Sequence, residues 1–420
     1  MRFFYTLALW LLLPYIFIRL LWRARKQPEY LSHINERFGF YTHRCDKPVI
    51  WLHAVSVGET RAAQSLITKL QTAYPNHQIL LTHTTPTGRA TSEQLYGDSI
   101  VRAYLPYDFP FAVTSFLRYF KPQIGILMET EIWFNLIHAC QQLNTPLLLL
   151  NARMSDKSAK GYARFAQLTS TALTNLSSIA AQTTDDAVRL TQLGAKDVSV
   201  MGNLKFEIDP PISSLVLGKQ FREQFGTARK ILLAASTREG EESLILDTLQ
   251  SLHFLNTLLI IVPRHPQRFD DVAQLLEKHS ITYQRRSENR PISNEVQVVL
   301  GDSMGEMFAY YAAADIAFIG GSLLPYGGQN LIEACSVGTP VIVGPHTYNF
   351  SEVTRLAVNA GAAIQMNKAD ELVEKLRFLL NDPSSFAAMR QQSVTFVNAN
   401  RGATNKALEI IASKMPTSRE

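Results

Sequence analysis

The chain has 420 residues, of which 46% are hydrophobic and 18% charged, with a formal net charge of +5. That length favours two domains. The modest positive charge suits anionic ligands or an anionic membrane surface, and the lack of a basic run with interleaved aromatics argues against a nucleic-acid binder. Cys45, Cys140 and Cys335 show no paired metal-ligand spacing, so a reduced compartment is expected.

The first segment, Phe3 to Ile18, is almost entirely apolar, and Arg19, Arg23, Arg25 and Lys26 follow it. Only Arg2 precedes the apolar run and no small-residue cleavage site follows, which argues against a signal peptide; an uncleaved anchor is expected, with a buried core helix as the alternative. The run is short for a straight span, although Arg19 can snorkel and extend it to Trp22. A span and a helix lying in the membrane plane both fit, because Pro14 interrupts the run and aromatics flank it. The basic residues after the run place the remainder of the chain in the cytoplasm.

From about residue 48 short apolar runs alternate with amphipathic stretches. PVIWLH, HQILLTH, QIGILME, PLLLLN and SSIAAQ read as buried strands. Residues 61–73, 110–119, 132–143 and 185–193 read as helices. The alternation predicts right-handed βαβ units on a parallel sheet. EIDPPISS, at 207–214, breaks it and reads as a linker. A second series follows, with KILLAAS, TLLIIVP, VQVVLGD, DIAFIGG and TPVIVGP as strands. The expected domains are an anchor over 1–26, a Rossmann-like domain over 27–206, a linker over 207–217, a second Rossmann-like domain over 218–383, and a helical segment over 384–420 that can return to the first. Two such halves suggest a site at the carboxyl ends of the strands, between the lobes.

Polar candidates gather after those strands. HAVSVGET carries Glu59 behind the first, and Ser56-x-x-Glu59 also has the spacing of a capping box. The capping role and a catalytic role both remain open on spacing alone. METE supplies Glu129 and Glu131, and GNLKFE supplies Lys205. In the second half VPRHPQRF supplies Arg264, and GDSMGE offers Ser303-x-x-Glu306 as a second capping pattern. GGSLLPYGGQN holds two Gly-Gly pairs and opens an expected helix, NLIEACSV, where backbone amides can approach a phosphate and Glu333 can accept from ribose hydroxyls. No G-x-G-x-x-G follows the first strand, and Walker lysine and G-x-S-x-G patterns are absent.

Eleven motifs in order, HAVSVGET, TPTG, LPYD, METEIW, NARMS, GNLKF, EGEE, VPRHPQRF, GDSMGE, GGSLLPYGGQN and GPHTYNF, resemble those of the 3-deoxy-D-manno-octulosonic acid (Kdo) transferases of Gram-negative bacteria. The chain departs from that pattern at Gln329, where histidine is frequent, and at Leu331, where proline is frequent. The resemblance implies a GT-B glycosyltransferase, two Rossmann-like domains facing a central cleft, that transfers Kdo from CMP-Kdo to lipid IVA with inversion. It implies no metal and no cofactor, and a place on the cytoplasmic face of the inner membrane among anionic lipids. By the same resemblance Glu59 is the general base, and Glu129 and Lys205 support the transition state. The CMP contacts are Pro263, Arg264, Met304, Gly305, Glu306, Asn330, Leu331, Ile332 and Glu333. Two other readings fit the residues: a GT-B transferase using a UDP-sugar, and a membrane-tethered sugar-nucleotide-binding scaffold without turnover.

Overall fold

The structure is a computed structural model that describes residues 1–42, 44–250 and 257–416. Chain contacts divide it into two compact units, Met1–Glu207 with Arg401–Glu420, and Ile208–Asn400.

The first unit is built on a seven-stranded parallel sheet. Its strands are β1 (Val49–His53), β2 (Gln78–His83), β3 (Val101–Tyr104), β4 (Pro122–Met128), β5 (Leu147–Ala152), β6 (Ser178–Ala181) and β7 (Val198–Val200). Their order is β3-β2-β1-β4-β5-β6-β7, so the sheet reverses its winding between β1 and β4. Strands β1, β4 and β5 are almost wholly buried because helices cover both faces, which is why they read as unbroken apolar runs rather than alternating ones.

The second unit repeats the plan with β8 (Lys230–Thr237), β9 (Thr257–Pro263), β10 (Tyr283–Arg285), β11 (Val298–Leu300), β12 (Ile316–Ile319), β13 (Val341–Val343) and β14 (Ala363–Gln365). The order β10-β11-β9-β8-β12-β13-β14 puts its reversal between β8 and β12. In open parallel sheets ligands bind beyond the carboxyl ends of the strands at such reversals.

All ten apolar runs read as strands form strands. The four strands that periodicity did not reveal, β3, β7, β10 and β14, are the two edges of each sheet. An edge strand pairs on one side only. β7, β10 and β14 are three residues each, and only half of β3 is buried, so none carries a long apolar signal.

Three boundaries differ from expectation. The linker over 207–217 is cut short, because a helix starts at Ile212 and runs to Phe225. Proline is tolerated immediately before a helix, so Pro210 and Pro211 end the extended stretch sooner than composition suggests. The segment over 384–420 divides in two. Helix Pro383–Ala399 stays with the second unit, and helix Ala403–Lys414 belongs to the first. There Ala403, Ala407 and Ile411 pack into one core cluster with Leu66, Ile67 and Leu70. Lastly, Ser303 and Glu306 do not make a capping box: the helix begins at Met307, and Glu306 is its N-cap without a side-chain cap.

The N-terminal helix, Arg2–Lys26, passes through Pro14 unbroken and is long and apolar enough to cross a membrane. It rests on the first unit along one stripe. The Tyr5 hydroxyl donates to Asp108 Oδ2 at 2.9 Å, the Trp10 ring lies 4.9 Å from Phe109, and Phe17 stacks on Phe38 at 5.4 Å.

Candidate active site

In the first unit the candidate residues converge at the reversal between β1 and β4. Ser56 leaves β1 in extended backbone and caps the short helix Val57–Ala62. Glu59 sits in its first turn. The Ser56 hydroxyl donates to Glu59 Oε1 at 2.9 Å, and the Val55 amide donates to Oε2 at 2.9 Å. The carboxylate therefore does cap this turn, though through the Val55 amide and the serine hydroxyl rather than the Ser56 amide. Those bonds favour its charged form, yet its pKa is pushed up to about 7, first by burial and next by the charge of Glu129. A carboxyl group with that pKa exchanges a proton near neutral pH.

Glu129 follows β4 with φ +59°, a left-handed conformation that costs of order 1–3 kcal/mol for a non-glycine residue. Its Oε1 lies 3.0 Å from Lys205 Nζ. Glu131, two residues on, accepts from Trp133 Nε1 at 2.7 Å, and its pKa too is raised, mainly by burial. His53 ends β1 fully buried; burial and the neighbouring His83 push its pKa down to about 3, so it stays neutral. Its Nδ1 lies 2.9 Å from Thr82 Oγ1, and its Nε2 faces Glu131 at 3.9 Å.

A polar frame holds Lys205. Asn151, in β5, has φ +53° where the β5–β6 register slips. Its Oδ1 accepts the Leu204 amide at 3.0 Å, and its carbonyl accepts from Gln182 Nε2 at 3.0 Å. Gln182 Oε1 accepts from Asn203 Nδ2 at 3.0 Å, and Asn203 Oδ1 accepts the Lys205 amide at 3.0 Å. Asn151 and Gln182 were not among the expected site residues. For Asn151 the sequence hints were its place at the end of a leucine-rich run and at the head of the NARMS motif; Gln182 only ends the apolar run SSIAAQ.

The second unit is organised by two buried glutamates behind β8. Glu241 accepts the Gly321 amide at 2.6 Å, the Leu323 amide at 2.9 Å and the Arg238 amide at 2.9 Å. Glu242 takes both arms of Arg268, at 2.6 and 2.9 Å. Glu241 thereby fixes the Gly-rich loop, while Glu242 ties the end of β8, through the Thr237 hydroxyl at 2.6 Å, to Arg268. Gly320 is obligatory there, since a Cβ would stand 2.5 Å from the Ser236 carbonyl oxygen. Gly327 has φ +91°, and a Cβ on it would stand 2.3 Å from Asn349 Nδ2.

The structure divides the expected nucleotide contacts. Arg264 is exposed, and its amide is tied to the Thr237 carbonyl at 3.0 Å. Glu333 accepts from Asn330 Nδ2 at 3.2 Å. The charges of Arg264 and Glu333 both act on the buried Tyr311 hydroxyl. Met304 is exposed beside Gly305, which has φ +81°. Glu306 is already engaged by Arg286 Nη2 at 3.1 Å and by the Ser303 hydroxyl. Pro263, Leu331 and Ile332 are buried, so only their backbones can meet a ligand. The expected helix NLIEACSV is shorter than its pattern: Asn330 Oδ1 accepts the Ile332 amide at 3.1 Å, and the helix is Ile332–Ser336. Among the described residues no group of three or more His, Cys, Asp or Glu side chains could hold a metal ion.

Residues 32–208 match the family described as 3-deoxy-D-manno-octulosonic-acid transferase (kdotransferase), and residues 256–395 match glycosyl transferases group 1. A 3-deoxy-D-manno-octulosonic acid transferase of Bordetella pertussis is 41% identical over 97% of this chain and 98% of its own. One of Haemophilus influenzae is 39% identical over 98% of each. A glycosyltransferase of Rickettsia africae superposes with a TM-score of 0.59 at 16% identity, covering 89% of this chain and all of the other. A UDP-GlcNAc 2-epimerase of Neisseria meningitidis superposes with a TM-score of 0.60 at 16% identity, covering 87% of this chain and all of its own; at such identities the likeness is one of fold.

Proposed function

The chain belongs to the Kdo transferase family, and on that premise we propose that it moves Kdo from CMP-Kdo to lipid IVA, with inversion, on the cytoplasmic face of the inner membrane. It is a GT-B glycosyltransferase that transfers Kdo in lipopolysaccharide biosynthesis. The observation that carries the finer reading is Glu59, a carboxyl group at the sheet reversal with its pKa pushed up to about 7.

A sugar hydroxyl is far too weak an acid to ionise alone at neutral pH, so its attack needs a base within hydrogen-bond reach. In this reading the acceptor hydroxyl attacks the anomeric carbon of Kdo, and Glu59 takes its proton. The bond from that carbon to the CMP phosphate breaks, and CMP leaves with the electron pair. One displacement with one base inverts the anomeric centre. Lys205, oriented by Glu129, supplies positive charge to the Kdo carboxylate or the departing phosphate. Arg264 and the amides of the Gly-rich loop bind the CMP phosphate, and Glu333 binds the ribose hydroxyls. The transfer so drawn uses no metal ion and no cofactor.

The test is product analysis. Purified full-length protein given CMP-Kdo and lipid IVA is expected to yield lipid IVA heavier by whole Kdo residues, with CMP competing against the donor and UDP not competing. Unchanged lipid IVA would refute the acceptor or donor assignment. Stronger competition by UDP would identify a UDP-sugar donor instead.

A further inference from the structure

The N-terminal helix touches the first unit along its whole length. Tyr5, Leu9, Leu13, Ile16, Leu20 and Ala24 recur at three- and four-residue spacing, and all six are half-buried or buried. At the start of this stripe Tyr5 donates to Asp108, and the Thr6 hydroxyl donates to Asn135 Oδ1 at 3.1 Å. At its end Leu20 is 6% exposed and Ala24 8%, and Arg23 stands over the Tyr30 ring at 5.4 Å.

From Tyr5 to Ala24 the helix climbs about 28 Å at about 1.5 Å per residue, close to the thickness of a bilayer's hydrocarbon core at about 30 Å. If the helix spanned, Tyr5 would stand at the far side of the core, and its partner would go with it. Asp108 cannot go. It is 3% exposed and also accepts the Asn135 and Leu136 amides at 3.0 and 2.8 Å, which ties it to the start of the helix Phe134–Gln142.

The remaining faces of the helix are apolar and open. Phe3, Phe4, Leu11, Tyr15, Ile18 and Trp22 are each more than half exposed. The apolar surface continues off the helix, because the exposed Phe111 of the globular unit stacks on Trp10 at 5.9 Å. Arg2, Arg19, Arg23 and Arg25 are exposed, so cationic groups bracket the apolar face at both ends. That arrangement matches acyl chains beneath anionic headgroups.

We infer that the protein is monotopic: the helix lies in the plane of the cytoplasmic leaflet, docked on the first unit, and both its ends stay on the cytoplasmic side. This rests on the membrane reading given above and concerns topology, which that reading leaves open. The experiment is single-cysteine labelling of the full-length protein with a membrane-impermeant maleimide. Cys140 and Cys335 are buried, so Cys45→Ser gives the background. Arg2→Cys reports on the N-terminus, and Ser413→Cys marks the cytoplasmic face. Both are expected to be labelled in inverted inner-membrane vesicles and protected in intact spheroplasts. Labelling of Arg2→Cys in spheroplasts, with Ser413→Cys protected, would mean a span and overturn the inference while leaving membrane attachment standing. Recovery of the protein in the soluble fraction would overturn the membrane reading itself.

Discussion

Both units bury carboxylates behind the first strand of their sheet, and they surround them differently. In the second, Glu241 accepts backbone amides and Glu242 is gripped by Arg268. Every acceptor there has a donor, and the product is a rigid loop. In the first, Glu59 faces the charges of Glu129 and Glu131 and is held protonatable near neutral pH. Glu59 also has a donor for each oxygen, but burial first and the charge of Glu129 next raise its pKa to about 7, the range the proposed proton acceptor needs.

The largest effect that would break this contrast is at Glu59. Glu59→Gln keeps size and one acceptor for the Val55 amide, so folding and donor binding are expected to persist. Transfer is expected to fall about 10²–10⁴-fold, measured as initial rate with saturating donor. Near-normal turnover would reduce Glu59 to a cap and shift the search to Glu129.

Next come Arg264→Ala and Glu333→Ala in the second unit. In the proposed reading each removes a charge-assisted hydrogen bond worth about 1.5–3 kcal/mol, so CMP affinity by calorimetry is expected to drop roughly ten- to a hundredfold. Unchanged affinity in both would move the nucleotide away from the Gly-rich loop.

The smallest effect sharpens the contrast rather than breaking it. As the proposed base Glu59 must be ionised, so kcat/KM is expected to rise with pH through about 7. Glu129→Gln removes a like charge, which lowers the Glu59 pKa and moves that acidic limb to lower pH. Because burial is the larger cause, the limb is expected to stay above the ordinary carboxylate range. The sign for stability runs the other way to activity. A carboxyl raised in the folded state stabilises fully below pH 4.5, and that contribution is lost as pH rises through about 7. Glu59→Gln is therefore expected to melt no lower than the wild type at pH 8, in thermal scans across pH.

The sheet interiors were legible because a parallel strand covered on both faces must be apolar throughout. The edges were not, because β7, β10 and β14 bury too little to leave a pattern. The candidate residues were legible as residue types at strand ends, since a reversal gathers whatever follows neighbouring strands. Its tuning was not. Glu129, Asn151 and Ser236 take left-handed backbone at φ +59°, +53° and +55°, and no side chain announces that choice. Two of the three, Asn151 and Ser236, lie where the ladder slips register, and such bulges are common beside active sites. Glu241 was visible in EGEE but its partners were not, because Gly321 and Leu323 lie some eighty positions away.

The helix Ala403–Lys414 closes the core of the first unit with residues that follow the whole second unit in the chain. Translation therefore separates the two ends of that core. At about 5–20 residues per second, roughly 10–40 s pass between completion of Glu207 and arrival of Arg401. For that interval Leu66, Ile67 and Leu70 have no final cover, while all of the second unit is being made. The half of the protein that emerges first is the half that finishes folding last. A nascent chain stalled before residue 401 thus lacks that cover, and a stop codon just before Arg401 leaves the first unit incomplete rather than the second.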